Sequence, residues 1–170
     1  LRRSRGLGDV YKRQIIKSQN YKHAKASGID DEISRKLAFA PHINIGVFSL
    51  EKNSKCWSIW QKNLEKTLSK GKVFGSEGLA INIAVYHDNV DVEFLPLKCN
   101  WIASHLLPKY DTNKNTFVEP YLPNETIGII HLAAGIWKNN KDMRLNKDIK
   151  VEIKTLEGKK IDKSLRYGIK

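Results

Sequence analysis

Two segments of this chain carry side chains that can bind ligands or neutralise charge. The imidazole of His131 ends the apolar run IGIIH, and the amine of Lys138 follows it. The amide of Asn100 and the indole of Trp101 follow the turn FLPLKC. An imidazole can ligate a metal ion such as Mn²⁺, and a lysine can offset phosphate charge. Taken alone, His131 is better explained by a hydrogen bond at a strand end, and Lys138 as one surface lysine among many.

The elements before these residues are predicted to be helices around one strand. Asp30 and Asp31 precede EISRKLAFA, where apolar residues recur at helical spacing, and the helix is expected to end before Pro41. The next run, HINIGVFSL, is rich in β-branched and aromatic residues and predicts a strand.

Two further helices are predicted downstream. After Ser54, an amphipathic helix ending near Gly71 carries an apolar stripe made of Trp57, Trp60, Leu64 and Leu68. The spacing predicts that both tryptophans lie in the core. Ser76 is expected to cap the second helix, EGLAINIAVYH, which is apolar on more than one side.

The remaining chain is predicted to be mainly β. VEFLPL reads as a strand, residues 99–125 as a long loop and TIGIIHLAAG as a β-rich run. A hairpin closes the chain, with IKVEIKTL and KKIDKSLRY joined at Glu157 and Gly158. Strands that alternate with helices indicate an α/β fold, in which ligands bind at the carboxyl ends of strands. Residues 49–52, 95–101 and 131–138 are therefore the candidate site.

The charge of the chain is partly due to its first 14 residues. Residues 1–14 resemble a translated sequencing adaptor, so we exclude them and expect the natural reading frame to start near Ile15, within a longer gene. They hold five basic residues and one acid, so the net charge of +12 becomes +12 − 4 = +8 for the rest. Such an excess can favour nucleic acid, anionic membrane or phosphate, although scattered surface lysines explain it more simply.

The cysteines and the hydropathy pattern set further limits. Cys56 and Cys99 are far apart and form no CxxC pair, which argues against a disulfide scaffold or a zinc site. No run approaches the ~20 apolar residues that a membrane-spanning helix needs. We therefore expect a cytoplasmic protein and no membrane partner.

The order of the segments resembles the C-terminal part of the GT-A-type glycosyltransferases, especially the family related to glycogenin and the bacterial galactosyltransferases. HINIGVFSL, WSIWQ, FGSEGLAINIAVY, FLPLKCNW and IGIIHLAAGIWK follow one another as the family's motifs do. The resemblance covers roughly residues 41–138. It implies a GT-A fold with a mixed sheet and flanking helices, spanning residues 15–140, and leaves residues 141–170 as a C-terminal β-hairpin extension.

The resemblance also implies an activity. The full-length protein would transfer a sugar from a nucleotide-diphosphate donor, expected to be a UDP-sugar, to a hydroxyl of a glycan or another acceptor. A divalent cation, Mn²⁺ or Mg²⁺, would offset the charge of the leaving diphosphate. The carboxylates that complete the metal shell belong to an Asp-x-Asp motif expected upstream of Ile15, so we expect this chain alone to be inactive.

The resemblance assigns roles by position. His131 matches the metal-ligand histidine, while Gly135 and Lys138 match residues that approach the diphosphate. Glu77 and Asn44 match catalytic positions, where a carboxylate and an amide contact the sugar. The other substrate-binding positions are Gly46, Ser76, Asn100 and Trp101, and Trp101 is expected to stack on an acceptor sugar.

The sequence departs from the family pattern at two motifs. Glu77 and Gly78 stand where the family has Asp and Gln, and HLAAGIWK has one residue more between His131 and Gly135 than the family does. These departures leave a non-catalytic relative as one alternative. A basic nucleic-acid-binding module is another, but the tryptophans are predicted to lie on an apolar helical stripe or beside loops rather than among basic residues on one face, so no nucleic-acid partner is expected.

Overall fold

The computed structural model describes residues 20–132 and 149–166, together with the backbone of two short strands at 137–138 and 141–142. The fold is mixed α/β, as the sequence predicts. It consists of two compact units, the first ending at Glu93 and the second beginning at Phe94. This division falls inside the domain predicted over residues 15–140. Within the described residues, no helix is both long enough and apolar enough to cross a membrane.

Within the described residues, the first unit contains the three helices that the sequence predicts and one further helix that precedes them. They are α1, described over residues 20–26, α2 (Asp31–Phe39), α3 (Cys56–Leu68) and α4 (Ser76–Tyr86). Asp30 caps α2 by accepting the Glu32 N–H at 2.8 Å, because a carboxylate satisfies a helix-start donor that has no partner inside the helix. The helices enclose a core formed by Ala24, Ile29, Leu37, Leu79 and Ile83.

The segment before α3 is held by the side chain of Asn82 rather than by a neighbouring strand. Asn82 is buried in α4, and its amide oxygen accepts the Ile43 N–H at 3.0 Å. Its amide nitrogen donates to the Ile43 carbonyl at 3.1 Å and to the Gly78 carbonyl at 2.8 Å. The strand predicted for HINIGVFSL is therefore wrong: these residues form a turn and extended chain, because their hydrogen bonds are made with a helix side chain.

Helix α3 packs through a face other than its predicted apolar stripe. Its buried residues are Cys56, Asn63 and Thr67, whereas Trp57 remains 43% exposed and Leu68 40% exposed. At about 100° per residue, the predicted apolar stripe points roughly a quarter turn away from this buried face. The prediction that the stripe enters the core is thus wrong for Trp57 and Leu68. Asn63 tolerates burial because its amide donates to the Asp88 carboxylate at 2.6 Å.

The second unit is built from short strands. In the described residues these are β1 (Trp101–Ile102), β2 (Lys109–Asp111), β3 (Thr116–Val118), β4 (Ile130–His131), β5 (Trp137–Lys138), β6 (Lys141–Asp142), β7 (Val151–Lys154) and β8 (Lys160–Lys163). β1 and β4 pair in parallel, while β2–β3, β5–β6 and β7–β8 are antiparallel. They surround a core of Trp101, Ala103, Tyr110, Phe117, Ile127, Ile149, Ile153 and Leu165.

Some of the predicted β elements are present and others are not. The closing hairpin is confirmed as β7–β8, and its turn contains Gly158 at φ 85°, a backbone angle that glycine adopts without steric cost. The loop predicted for residues 99–125 instead contains β1 and the β2–β3 hairpin, whose turn is fixed by Asp111 accepting the Asn113 N–H at 2.9 Å. VEFLPL forms no strand and leads into a 3₁₀ turn at Leu97–Cys99.

Replacing Asn82 tests how strongly the first unit depends on this side chain. Asn82→Ala leaves the half-buried Ile43 N–H and carbonyl without their partner, so we expect the free energy of unfolding to fall by about 1–3 kcal/mol. Urea unfolding of the chain measures the change. Asn53→Ala, at an exposed asparagine, is the control and should shift it by under about 0.5 kcal/mol. Equal effects of the two substitutions would contradict the structural role of Asn82.

Asp31 provides a test by titration. The Tyr21 hydroxyl donates to its carboxylate at 2.8 Å, and with Arg35 and Lys25 it lowers the pKa of Asp31 from 3.8 to about 2. A lowered carboxyl pKa contributes stability that is complete above pH 3.8 and is lost as the pH falls towards 2. Tyr21→Phe should raise the pKa of Asp31 towards 3.8, as measured by carboxyl ¹³C NMR. An unchanged pKa in this variant would show that the hydroxyl contact is not formed.

Candidate functional site

The predicted site residues divide between the two units. Asn44, Gly46, Ser76 and Glu77 lie in the first unit, and Asn100, Trp101 and His131 in the second. Lys138 lies in the short strand β5, of which only the backbone is described, and Gly135 lies outside the described residues. The two groups are therefore considered separately.

Asn44 and Gly46 form a turn at the surface of the first unit. The Asn44 side-chain oxygen accepts the Gly46 N–H at 2.8 Å, which closes a local turn of the kind that asparagine favours. Both residues are exposed. Because Ile43 is fixed by Asn82, the position of this turn relative to α4 is set by buried hydrogen bonds.

Ser76 and Glu77 begin α4 and differ in their accessibility. Gly75, not Ser76, occupies the cap position and has φ 84°, so the predicted capping role of Ser76 is wrong. The Ser76 hydroxyl is buried and donates to the Lys72 carbonyl. Glu77 is exposed in the first helical turn, where its charge is favourable to the helix dipole and its carboxylate meets solvent. Of this pair, Glu77 is the residue that a ligand can reach.

The same asparagine connects the two predicted catalytic positions. Asn82 bonds Ile43, which precedes Asn44, and Gly78, which follows Glu77. The turn and the first turn of α4 are consequently held against one another. The structure thus brings together the segments of Asn44 and Glu77, which are more than thirty residues apart in the sequence.

In the second unit, Asn100 and His131 are in direct contact. Parallel pairing of β1 with β4 places Ile102 opposite His131, and the Asn100 side-chain oxygen lies 3.0 Å from Nδ1 of His131. An amide oxygen only accepts hydrogen bonds, so Nδ1 carries the proton in this arrangement. The lone pair of the neutral ring is then on Nε2, where it can ligate a metal or accept a proton.

The described residues do not make a complete metal centre. Among them, no group of three or more histidine, cysteine, aspartate or glutamate side chains is arranged to hold a metal ion. His131 fits as a single imidazole ligand whose other ring nitrogen is already oriented by Asn100. A centre that uses His131 would need its other ligands from residues beyond those described.

Trp101 is placed differently from the expected stacking residue. Its side chain is only 5% exposed and forms part of the core of the second unit. The indole N–H donates to the Leu106 carbonyl at 2.8 Å, and the ring packs 6.0 Å from that of Tyr121. Its faces are therefore covered by protein and are not open to a sugar.

The exposed aromatic surface lies instead on the first unit, where the sequence predicts core. Trp57 and Trp60 stack with centroids 5.9 Å apart, and Phe48 meets Trp60 edge-on at 5.5 Å. Phe48 is 53% exposed. The apolar stripe on α3 did not indicate that these rings are exposed, because such a stripe predicts a buried face whether or not another element covers it. The signal that could have indicated exposure is the second possible packing face of α3, formed by the small residues Cys56 and Thr67.

Comparisons with known proteins add no further constraint. No protein-family model, curated protein or solved structure matches this chain. The roles proposed for its residues therefore rest on their geometry and on the motif resemblance alone.

The contact between Asn100 and His131 predicts a tautomer. With Asn100 in place, His131 should be protonated at Nδ1 when neutral, because the amide oxygen accepts that proton. Asn100→Leu should release this preference, and Asn100→Asp, which keeps an acceptor, should retain it. Two-bond ¹⁵N correlation spectra of the imidazole distinguish the tautomers. A protonated Nε2 in the unmodified chain would contradict the contact.

Proposed function

We propose that the natural protein containing residues 15–170 is a glycosyltransferase with a GT-A fold. It transfers a sugar from a nucleotide-diphosphate donor, a UDP-sugar in the first instance, to a hydroxyl group of an acceptor. The described chain supplies residues for sugar recognition and one imidazole ligand for a divalent cation. This proposal rests on the resemblance of its motifs, and particular contacts support it.

The observation that carries the proposal is the contact between Asn100 and His131. The resemblance assigns these residues to one site from motifs some thirty positions apart, and the structure joins them at 3.0 Å. A metal-ligating histidine usually donates its second ring N–H to an acceptor, which fixes the orientation of the ring. His131 has such an acceptor in Asn100.

The first unit offers groups suited to a sugar. Glu77 is exposed, and its carboxylate can accept hydrogen bonds from sugar hydroxyls. The neighbouring Asn44 turn is also exposed and is held at a fixed position by Asn82. In the proposal, Glu77 and Asn44 contact donor or acceptor hydroxyls, and Gly46 allows close approach of the backbone.

The leaving diphosphate must have its charge offset during transfer. A divalent cation, Mn²⁺ or Mg²⁺, supplies that electrostatic stabilisation when bound. In the proposal His131 is one of its ligands through Nε2, and carboxylates outside the described residues complete the shell. The resemblance assigns the approach to the diphosphate to Lys138 and Gly135.

A nucleic-acid-binding module is the second candidate, and one observation favours it. Trp57 is 43% exposed, with the exposed residues Lys52 and Lys55 nearby in sequence, although the sequence predicts a buried ring. Exposed aromatics among basic residues are typical of single-strand binding. Titration with oligothymidylate at rising salt separates the candidates, because binding to phosphates weakens steeply with salt.

Removing the imidazole of His131 tests the transferase proposal. In the natural full-length protein, His131→Ala should lower Mn²⁺-dependent release of UDP from a panel of UDP-hexoses by at least about a hundredfold, because a lost metal contact raises the barrier by several kcal/mol. His105→Ala, an exposed histidine of the same unit, is the matched control and should retain activity. Equal activity of the two variants, or no UDP release from the unmodified protein, would contradict the proposal.

A further inference from the structure

Phe48, Trp57 and Trp60 form one partly exposed aromatic cluster on the first unit. Trp60 contacts both other rings, stacking on Trp57 at 15° and meeting Phe48 at 83°. The two outer rings are the more exposed, Phe48 at 53% and Trp57 at 43%. Exposed aromatic rings grouped in this way are common at ligand-binding surfaces.

Hydrogen bonds to the backbone fix the orientation of both tryptophans. The Trp57 indole N–H donates to the Glu51 carbonyl at 3.0 Å, and the Trp60 indole N–H donates to the Glu77 carbonyl at 3.0 Å. The polar edges of both rings are thereby satisfied by protein. What remains available at this surface is apolar ring area, held rigidly and therefore ordered at little further entropic cost.

Two acidic residues adjoin this apolar surface through their backbone carbonyls. Glu51 and Glu77 are exposed, and their own carbonyl groups hold the two indoles, so both residues adjoin the aromatic cluster. A pyranose ring presents an apolar face of C–H groups that packs on an aromatic ring, and hydroxyls at its edge that donate to carboxylates. The combination of flat apolar rings with acceptors at their border matches that chemistry.

We propose that the aromatic cluster is a carbohydrate-binding site, with a pyranose packed on Trp57 and Phe48 and its hydroxyls directed to Glu77 and Glu51. The site deepens the proposed function by identifying an acceptor glycan as its ligand. Only the role of the glycan as an acceptor rests on that function; the binding of a glycan does not. Glu77 connects the carbohydrate-binding site with the proposed function, because it borders the cluster and occupies a predicted catalytic position.

The same surface favours a sugar over a strand of nucleic acid. A nucleobase also stacks on tryptophan, and Lys52 and Lys55 are exposed nearby. Glu51 and Glu77, however, adjoin the cluster through their backbone carbonyls, and the negative charge of these two acidic residues repels the phosphates that accompany stacked bases. A neutral glycan meets no such repulsion and uses the carboxylates as hydrogen-bond acceptors.

The experiment is a titration of the ¹⁵N-labelled chain, without donor or metal, with maltoheptaose, cellopentaose and triacetylchitotriose. At least one glycan at millimolar concentration should shift the indole N–H signal of Trp57, while the buried Trp101 signal stays fixed. Trp57→Ala and Phe48→Ala should each weaken binding about tenfold or more, and Trp57→Phe should lose less. Phe39→Ala removes an exposed phenylalanine from α2 and should leave the affinity unchanged.

Several outcomes would overturn the proposal. They are the absence of a Trp57 shift with all three glycans, equal affinity in Trp57→Ala, and tighter binding of oligothymidylate than of any glycan with steep salt dependence. Amide spectra of each variant verify that it is folded. Because the titration needs neither donor nor metal, glycan binding without transferase activity would retain this site and remove only the proposed function.

Discussion

The buried amide of Asn82 is the constraint on which the first unit depends. It makes hydrogen bonds to both backbone groups of Ile43 and to the Gly78 carbonyl, inside a helix that is otherwise apolar. A polar group in that position would be costly without partners, so the segment before α3 must adopt the one path that supplies them. That path holds the chain just before the Asn44 turn against α4, the helix whose first turn contains Glu77. It also leads the chain directly to Phe48, at the edge of the aromatic cluster.

In the second unit, one side-chain contact determines the tautomer of a histidine. Parallel pairing of β1 with β4 brings Asn100 to the ring of His131, and burial of Trp101 anchors β1 in the core. The indole that the sequence suggests for sugar stacking thus has a structural role. The residue beside it, expected to bind substrate, orients the imidazole. Of these two neighbouring residues, Trp101 packs in the core and Asn100 contacts His131.

The sequence predicts the helices well and the strands poorly, for a physical reason. Helix α2 is specified locally by its Asp30 cap, whereas α3 and α4 have no side-chain cap and are indicated by their apolar residues. HINIGVFSL has the composition of a strand, but its conformation depends on Asn82 of α4, which lies some forty residues away in the sequence. The exposure of Trp57 could not be predicted from the apolar stripe alone, because the stripe does not show which of the two faces of α3 packs. Motif order assigns Asn100 and His131 to the candidate site, but both their hydrogen bond and the aromatic cluster emerge only from the fold.

The most direct test of the account is a crystal structure of the natural full-length protein with Mn²⁺ and UDP, using anomalous scattering to locate the metal. The proposed transferase predicts a manganese peak within bonding distance of Nε2 of His131, with the UDP diphosphate on the same ion. It also predicts that Asn100 remains hydrogen-bonded to Nδ1. A metal and nucleotide bound away from His131, or a His131 ring turned so that Nε2 faces Asn100, would contradict it.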